Sequence, residues 1–412
     1  MKILQINTVC RSGSTGKITA DLYRALVSEN HDCLVAYGRG SAPEDIKSYK
    51  ISSAFDTHVH ALMTRITDKT GFYSKGVTER LIKIITDYNP DVIHLHNLHG
   101  YYVNIEILFN YLAMSETPVV WTLHDCWAFT GHCAYFDYIN CKKWKTGCYE
   151  CPQKNSYPKS ILSDNSMYNY VKKKELFTSV NTMTLVTPSK WLMGVVKDSF
   201  LGGYDVRVIS NGIDLDIFKP TESDFKNRYN LDDKFVILGV ANVWEERKGL
   251  NDFIKLSNLL DDTFRIVLVG LNEKQLKALP NNIIGFGKTA NINELVYMYS
   301  AADVYVNAGV EETMGLTTVE ALACGTPVIV YNATAIPESV DTNVGYIIEK
   351  NDISALHTTI QKLRSDLAHA YMDQSCSLAV CTAKAEQFCK STMTKSYIDL
   401  YNETIQSRVI AL

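Results

Sequence analysis

Three things are scarce in this 412-residue chain. Proline is one: 10 prolines beside 22 glycines is neither the collagenous nor the low-complexity pattern. A surplus of positive charge is another, since 41 Lys and Arg stand against 45 Asp and Glu, a net charge of -4. No global field exists to hold nucleic acid through its phosphates, so nucleic acid is not expected as a partner and any anionic ligand must be caught locally. Long hydrophobic runs are the third. No stretch approaches the roughly 18 apolar residues of a membrane span, and the opening MKILQINTV is too short for a secretory signal, so a cytoplasmic address is expected. Eleven cysteines are too few for a disulfide scaffold and odd in number. What remains is ordinary globular composition, 46% apolar and 21% charged, in a chain long enough for two or three domains of about 150 residues each.

The organisation lies in an alternation. KILQINTV reads as a buried strand, RSGSTGK as a glycine-bearing turn, and ITADLYRALVSEN as a helix whose Ile18, Leu22, Ala25 and Leu26 recur at helical spacing. CLVAYG, DVIHLH, PVVWTLH, TLVTPS and VRVISNGID read as further strands, with helices at TERLIKIITDY, near 104–114, near 164–178 and at SKWLMGVVKDS. The stretch 126–160 breaks the pattern. It is irregular, aromatic and cysteine-rich, too long for an ordinary connection and therefore functional or separately braced. Alternation restarts with FVILGVAN and runs through FRIVLVG, NIIGFG, DVYVNAG and PVIVY, with helices at 249–260, 273–278, 291–301 and 317–324 and a helical region from about 352. Apolar strands alternating with helices imply parallel sheets covered on both faces. The expected fold is α/β, with two Rossmann-like parallel-sheet domains facing a central cleft. The expected divisions are 1–210, carrying the insertion at about 126–160; 211–385; and a terminal helix at 386–412 that crosses back to the first domain. Ligands are expected at the carboxyl ends of the strands.

Four groups of residues point to chemistry. GSTGK at 13–17 puts Gly13 and Gly16 where a backbone could approach a phosphate, or simply make a tight strand-to-helix turn. It is not a Walker A loop, because Arg11 and Ile18 stand where that motif needs Gly and Ser or Thr, and no G-x-G-x-x-G dinucleotide fingerprint is present. His94 and His96 share a strand face, which suits a metal less well than a polar lining because no carboxylate accompanies them. His124, at the end of its strand, is better placed for a ligand. Cys133, Cys141, Cys148 and Cys151, the last two a C-x-x-C, would suit a tetrahedral structural Zn²⁺; reduced thiols in an aromatic loop and redox pairing stay open beside it.

The sharpest segment is AADVYVNAGVEETMGLTTVEALACGTPVIVY. A strand ends near Asn307, Glu311 and Glu312 lie in the loop, Gly315 precedes a helix from about Thr317, and Gly325 and Pro327 close it. The N–H groups of Met314 to Thr318 at a helix start suit a pyrophosphate. Glu312 and Glu320 beside such a site point to sugar or ribose hydroxyls, although Thr317 and Glu320 also match a capping box.

Taken together, the glycine turn at 13–16, PDVIHLHN, WTLHD, VTPSKWL, VISNGID, Arg247-Lys248-Gly249, Glu312-x7-Glu320 and GTPVI resemble a retaining glycosyltransferase of family 4 with the GT-B architecture, over nearly the full length. The stretch from WTLHDCW to CYECPQKNSYP resembles the subgroup of colanic-acid and other exopolysaccharide transferases. The resemblance implies a UDP- or GDP-linked sugar donor and a glycan or lipid-linked acceptor in bacterial surface-polysaccharide synthesis. Glu320 would take ribose hydroxyls, Met314, Gly315, Leu316 and Thr317 the phosphates, Glu312 the sugar and Lys248 the leaving diphosphate. His124 with Gly13 and Gly16 would meet the transferred sugar and acceptor. No metal is then required for chemistry. This chain has Asn242 where the family has Arg, so Arg247 is the candidate second cation; Met314 replaces a Phe, and Gly13-Ser14 replaces paired glycines. A nucleotide-sugar epimerase or hydrolase of the same architecture and a non-catalytic nucleotide-sugar-binding subunit are the alternatives. Finally, FDTHVHALMTRITDKTGF has helical apolar spacing with flanking cations, which suits either packing on its own sheet or peripheral contact with a membrane.

Overall fold

A computed structural model describes residues 1–370 and 378–411. Of the divisions expected from the sequence, residues 371–377 and Leu412 lie outside the described residues. The chain forms two units, Met1–Ser210 with Met393–Leu412, and Asn211–Thr392.

The first unit is built on seven parallel strands: β1 (Lys2–Val9), β2 (Asp32–Arg39), β3 (Ser48–Lys50), β4 (Val92–Leu95), β5 (Val119–Thr122), β6 (Met183–Thr187) and β7 (Asp205–Val208), in the order β3-β2-β1-β4-β5-β6-β7. Helices α1 (Gly13–Ser28), α2 (Ala54–Thr67), α3 (Lys75–Tyr88), α4 (Ile105–Met114), α5 (Ser166–Phe177) and α6 (Lys190–Lys197) make the crossovers. Strands β4 and β5 are buried at every position, as expected of central parallel strands covered on both faces. The order reverses between β1 and β4, which pair Ile3 with Val92 and Ile6 with Leu95, so the carboxyl ends of these two strands flank a topological switch point.

The insertion holds only three short 3-10 turns, Trp127–Phe129, Asp137–Ile139 and Lys143–Lys145. Its bracing is aromatic and ionic. Phe136 and Trp144 pack tilted at 4.9 Å, and Phe129 sits edge-on to Trp144 at 5.6 Å. The fully buried Lys173 of α5 donates to the carbonyls of Trp127 (2.8 Å) and Thr130 (3.1 Å) and lies over the Trp127 ring; burial pulls its pKa down to about 7. His132 pairs with the buried Asp68, which also accepts from the Asn165 N–H.

The second unit has six parallel strands, β8 (Phe235–Val240), β9 (Phe264–Val269), β10 (Ile283–Phe286), β11 (Val304–Asn307), β12 (Val328–Tyr331) and β13 (Gly345–Ile348), in the order β10-β9-β8-β11-β12-β13. Its helices are α7 (Phe225–Arg228), α8 (Leu250–Ser257), α9 (Glu273–Ala278), α10 (Ile292–Ala301), α11 (Leu316–Ala323), α12 (Ile353–Ala370) and α13 (Leu378–Glu386). Here the order reverses between β8 and β11, giving a second switch point. The last helix, α14 (Lys390–Ala411), starts against this unit, where Lys390 pairs with Asp214. From Met393 onward its residues belong to the first, where Tyr397 and Tyr401 pack with Ile3, Val35 and Val120. No described helix is long and apolar enough to cross a membrane.

Candidate functional site

The β8–β11 switch point of the second unit gathers the strongest sequence segment. After β8 the chain makes a short turn, Glu246–Lys248, and passes through Gly249 at φ +77°. A Cβ there would stand 2.2 Å from the Ala308 carbonyl oxygen, so glycine lets this turn lie against the loop that follows β11. The two loops are then stitched: Val310 N–H donates to the Arg247 carbonyl (2.8 Å), and the Arg247 guanidinium donates to the Glu311 carbonyl (2.9 Å). Arg247 therefore positions the loop, whereas the next residue reaches across it. Lys248 Nζ lies 2.8 Å from Glu312 Oε1, with side chains 19% and 14% exposed. The Glu312 backbone is fixed by a reciprocal pair with Thr334, its N–H to Thr334 Oγ1 and Thr334 Oγ1 to its carbonyl, both 2.9 Å.

Helix α11 begins two residues beyond Met314. Its N-cap is Gly315, left-handed at φ 78°, and no side chain caps it. The capping-box reading of Thr317 and Glu320 is thus not what forms. Thr317 Oγ1 accepts from Tyr305 OH (2.7 Å), Glu320 Oε2 accepts from Tyr299 OH (2.9 Å), and Asn307 Nδ2 donates to Thr318 Oγ1 (3.0 Å). Burial, followed by the Glu320 charge, holds the Tyr299 hydroxyl well above its usual range, so it stays a donor. The first turn therefore presents backbone N–H groups and the positive end of the helix beside a Lys–Glu pair. Met314 contributes backbone only: its side chain is buried and its sulfur accepts the Asn211 N–H at 3.1 Å. Asn242 is exposed in the loop after β8. Tyr299, Tyr305 and Thr334, which hold this site in place, carry no motif in the sequence.

At the switch point of the first unit the glycine turn is stapled by Asn7, whose Nδ2 donates to the Val9 carbonyl (2.9 Å) and Thr19 Oγ1 (2.9 Å). A Cβ on Gly16 would be 3.0 Å from the Arg11 nitrogen, so Gly16 serves close helix–strand packing, while Gly13 has φ +68° and open space around it. The histidines form a chain: Tyr401 OH with His94 Nδ1 (2.6 Å), His94 Nε2 with Thr122 Oγ1 (2.8 Å), and Thr122 Oγ1 with Tyr397 OH (2.9 Å). His96 bridges Gln5 (3.2 Å) and His124 (3.1 Å). Burial keeps His94 and His96 well below the usual histidine range and pulls His124 down to about 4, against the upward pull of Asp125. His94 and His96 are therefore neutral and bonded at both ring nitrogens, a framework and not a metal pair. Beside them His99 bonds Asp125 (2.8 Å) and Tyr157 OH (3.0 Å), a contact between this edge and the insertion that the sequence did not signal.

Cys133, Cys141, Cys148 and Cys151 line one cavity. They make other bonds there: Cys133 and Cys151 hydrogen-bond each other, which pulls Cys151 down to about 7, and Cys148 accepts the Gly131 N–H at 3.2 Å. Among the described residues no group of three or more His, Cys, Asp or Glu is placed to hold a metal ion. The ligands expected for zinc are gathered but not assembled, and all four stand as free thiols.

Two family models match in tandem, Glycosyltransferase Family 4 over residues 15–217 and Glycosyl transferases group 1 over 221–389. The chain belongs to the glycosyltransferases built from these two domains. This glycosyltransferase is 24% identical over 417 residues to a putative colanic acid biosynthesis glycosyl transferase of Escherichia coli K12, covering 97% of this chain and 99% of the relative. Its fold is GT-B. Sucrose-phosphate synthase from Thermosynechococcus elongatus superimposes with TM-score 0.73 at 16% identity, covering 98% and 99% of the two chains. Anabaena HepE in complex with UDP-glucose does so at 0.66 and 16%, covering 99% and 100%.

Proposed function

We propose that this glycosyltransferase moves a hexose, with retention of configuration, from a nucleotide-diphosphate sugar to a lipid-linked or oligosaccharide acceptor in bacterial surface-polysaccharide synthesis. The observation that carries the reading is the Lys248–Glu312 pair at 2.8 Å beside the uncapped start of α11, at the switch point where an α/β sheet takes its ligand. A diphosphate fits the N–H groups of Gly315 to Thr317 and the Lys248 ammonium; Glu320 and Glu312 suit the hydroxyls of ribose and sugar. The solved HepE complex with UDP-glucose and the colanic acid relative support a sugar nucleotide and a polysaccharide acceptor.

In the step itself the bond from C1 of the sugar to the β-phosphate oxygen breaks and one from C1 to the acceptor oxygen forms on the same face. The acceptor's proton passes to the departing phosphate, and the nucleoside diphosphate leaves. Charge develops on that phosphate as C1 becomes oxocarbenium-like, so Lys248 and the helix start act chiefly on the transition state. Glu312 holds Lys248 in position before donor arrives and is the group a bound sugar displaces or shares. The resemblance assigns His124 and the Gly13–Gly16 turn of the first unit to sugar and acceptor; His124, its pKa pulled down by burial, enters as a neutral imidazole. Incubation of purified protein with UDP- and GDP-hexoses and a glycan or lipid-linked acceptor tests the reading: a glycosylated acceptor with free nucleoside diphosphate supports it, and free or epimerised sugar without acceptor product overturns it.

A further inference from the structure

Helix α2 is amphipathic in the opposite sense from a helix that packs its apolar face on its own sheet. Its buried side chains are the polar His60 and Thr64, with His60 bonded to Ser74 Oγ (2.8 Å) and to the Gly71 N–H (3.1 Å). Its apolar Phe55, Val59, Leu62 and Ile66, at the i, i+4, i+7, i+11 spacing of one helical stripe, face outward, with Phe55 76% and Leu62 55% exposed. The segment that follows the insertion extends the stripe. Ile161 and Leu162 donate their N–H groups to the Arg65 carbonyl at 2.7 and 3.4 Å, and their side chains are 55% and 71% exposed. Single exposed apolar residues are ordinary; six gathered on one surface mark a place meant to be covered.

Charge says by what. Arg65 and Lys159 are exposed beside the stripe, and Lys69 continues it past the helix end, its ammonium 4.1 Å over the Tyr168 ring. Of the acidic groups beside the surface, Asp68 is fully buried with His132, the half-buried Asp56 accepts from Ser53 N–H and Oγ in the capping box, and the exposed Asp164 accepts from the Cys151 N–H and Ser166 Oγ. An apolar stripe rimmed by cations, with its carboxylates buried or bonded within the protein, complements the surface of an anionic bilayer, where apolar side chains enter the acyl boundary and cations meet phosphate headgroups. We infer that α2 and the Ile161–Leu162 corner form an interfacial membrane-docking surface of the first unit. The inference rests on this surface and not on the assignment of the donor site.

The test is co-sedimentation of the full-length protein with vesicles of phosphatidylethanolamine and phosphatidylglycerol, and with phosphatidylcholine vesicles as the neutral control. Wild type binds the anionic vesicles and binds the neutral ones more weakly. The double variant Phe55→Ser, Leu62→Ser loses about tenfold or more in affinity, as does Arg65→Glu with Lys69→Glu, but only for anionic vesicles. All four side chains are at or near the surface, so circular dichroism melting stays at the wild-type value and separates lost docking from misfolding. Wild type that fails to sediment with either vesicle, or a serine variant that binds as wild type does, overturns the inference. Concentration-dependent dimerisation abolished by the serine variant, without vesicle binding, would reassign the surface to a second copy of the chain. None of these outcomes reads transfer, so they leave the proposed reaction to its own test.

Discussion

The two units share one architecture, a parallel sheet whose strand order reverses once, yet they use their switch points differently. In the first, the polar side chains along β1, β4 and β5 and at their ends bond to one another: His94, His96, Thr122 and Gln5 are buried and joined to Tyr397, Tyr401 and His124. In the second, the strand ends carry a partly exposed lysine and carboxylate beside a helix start that no side chain caps. The difference teaches that titratable residues near a strand's carboxyl end, such as His94 and His96, do not by themselves mark a ligand site. What distinguishes the two is whether their hydrogen-bonding capacity is already taken inside the protein.

The largest effect that could break this comparison is on catalysis. Lys248→Ala should lower transfer by about 10²–10³-fold, the loss typical of one oriented charge-stabilising group, with little change in the melting curve because the ammonium sits at the edge of the fold. Turnover close to wild type would remove the second unit's claim.

Acid should then separate the units. Among the described residues every buried histidine lies in the first unit: His60, His94, His96, His99, His124 and His132. His60 is pulled down to about 3 and His124 to about 4, both by burial. A folded pKa below the unfolded one gives stability that is fully present above about 6.5 and lost as pH falls through the window down to the folded value. Between pH 7 and 5 each of these two should cost roughly 2 kcal/mol. His132 opposes them. Burial lowers it, but Asp68 outweighs burial and raises it, so its contribution is full at low pH and fades as pH rises through its folded value. Urea unfolding followed by intrinsic fluorescence reports chiefly the first unit, which holds Trp121, Trp127, Trp144 and Trp191, and its midpoint should fall toward pH 5. A midpoint flat across that range would show that the histidine frame is not built as described.

Tyr401→Phe sharpens the same point at smaller scale. It leaves buried His94 Nδ1 without the hydroxyl now 2.6 Å away, and should cost about 1–3 kcal/mol, with donor binding untouched. Smallest is Thr317→Val. A capping box would make it cost about 1 kcal/mol through the helix start; since the N-cap position of α11 is Gly315 and not Thr317, only the Tyr305 contact is lost, and replacement of Tyr305 by Phe should abolish most of the Thr317→Val effect in a double-mutant cycle.

Much of the frame was legible in the sequence because the alternation of apolar runs with helical spacing is a local signal: β1, β2, β8 and β11 lie where KILQINTV, CLVAYG, FVILGVAN and DVYVNAG placed them. The edge strands β3 and β13 were not, since SYK and GYII are only three and four residues long and partly exposed. In the candidate site, Glu312, Lys248 and Gly315 could be named because a loop, a cation and a glycine before a helix have a physical signature at short range. Their supports could not. Tyr299 reaches Glu320 from another helix, Thr334 reaches Glu312 from beyond β12, and Tyr401 reaches His94 across 307 positions of chain. The outward face of α2 escaped for a related reason: helical spacing shows that a stripe exists, and only the packed structure shows which way it points.

Donor binding by the second unit is the property on which the proposed reaction depends most directly. Thermal shift of wild type and Lys248→Ala across UDP- and GDP-hexoses measures it, because a ligand that binds the folded state raises its melting temperature by mass action. At least one sugar nucleotide should stabilise wild type and give a much smaller shift with the variant. Equal shifts in both proteins would contradict a role for Lys248 in holding the donor.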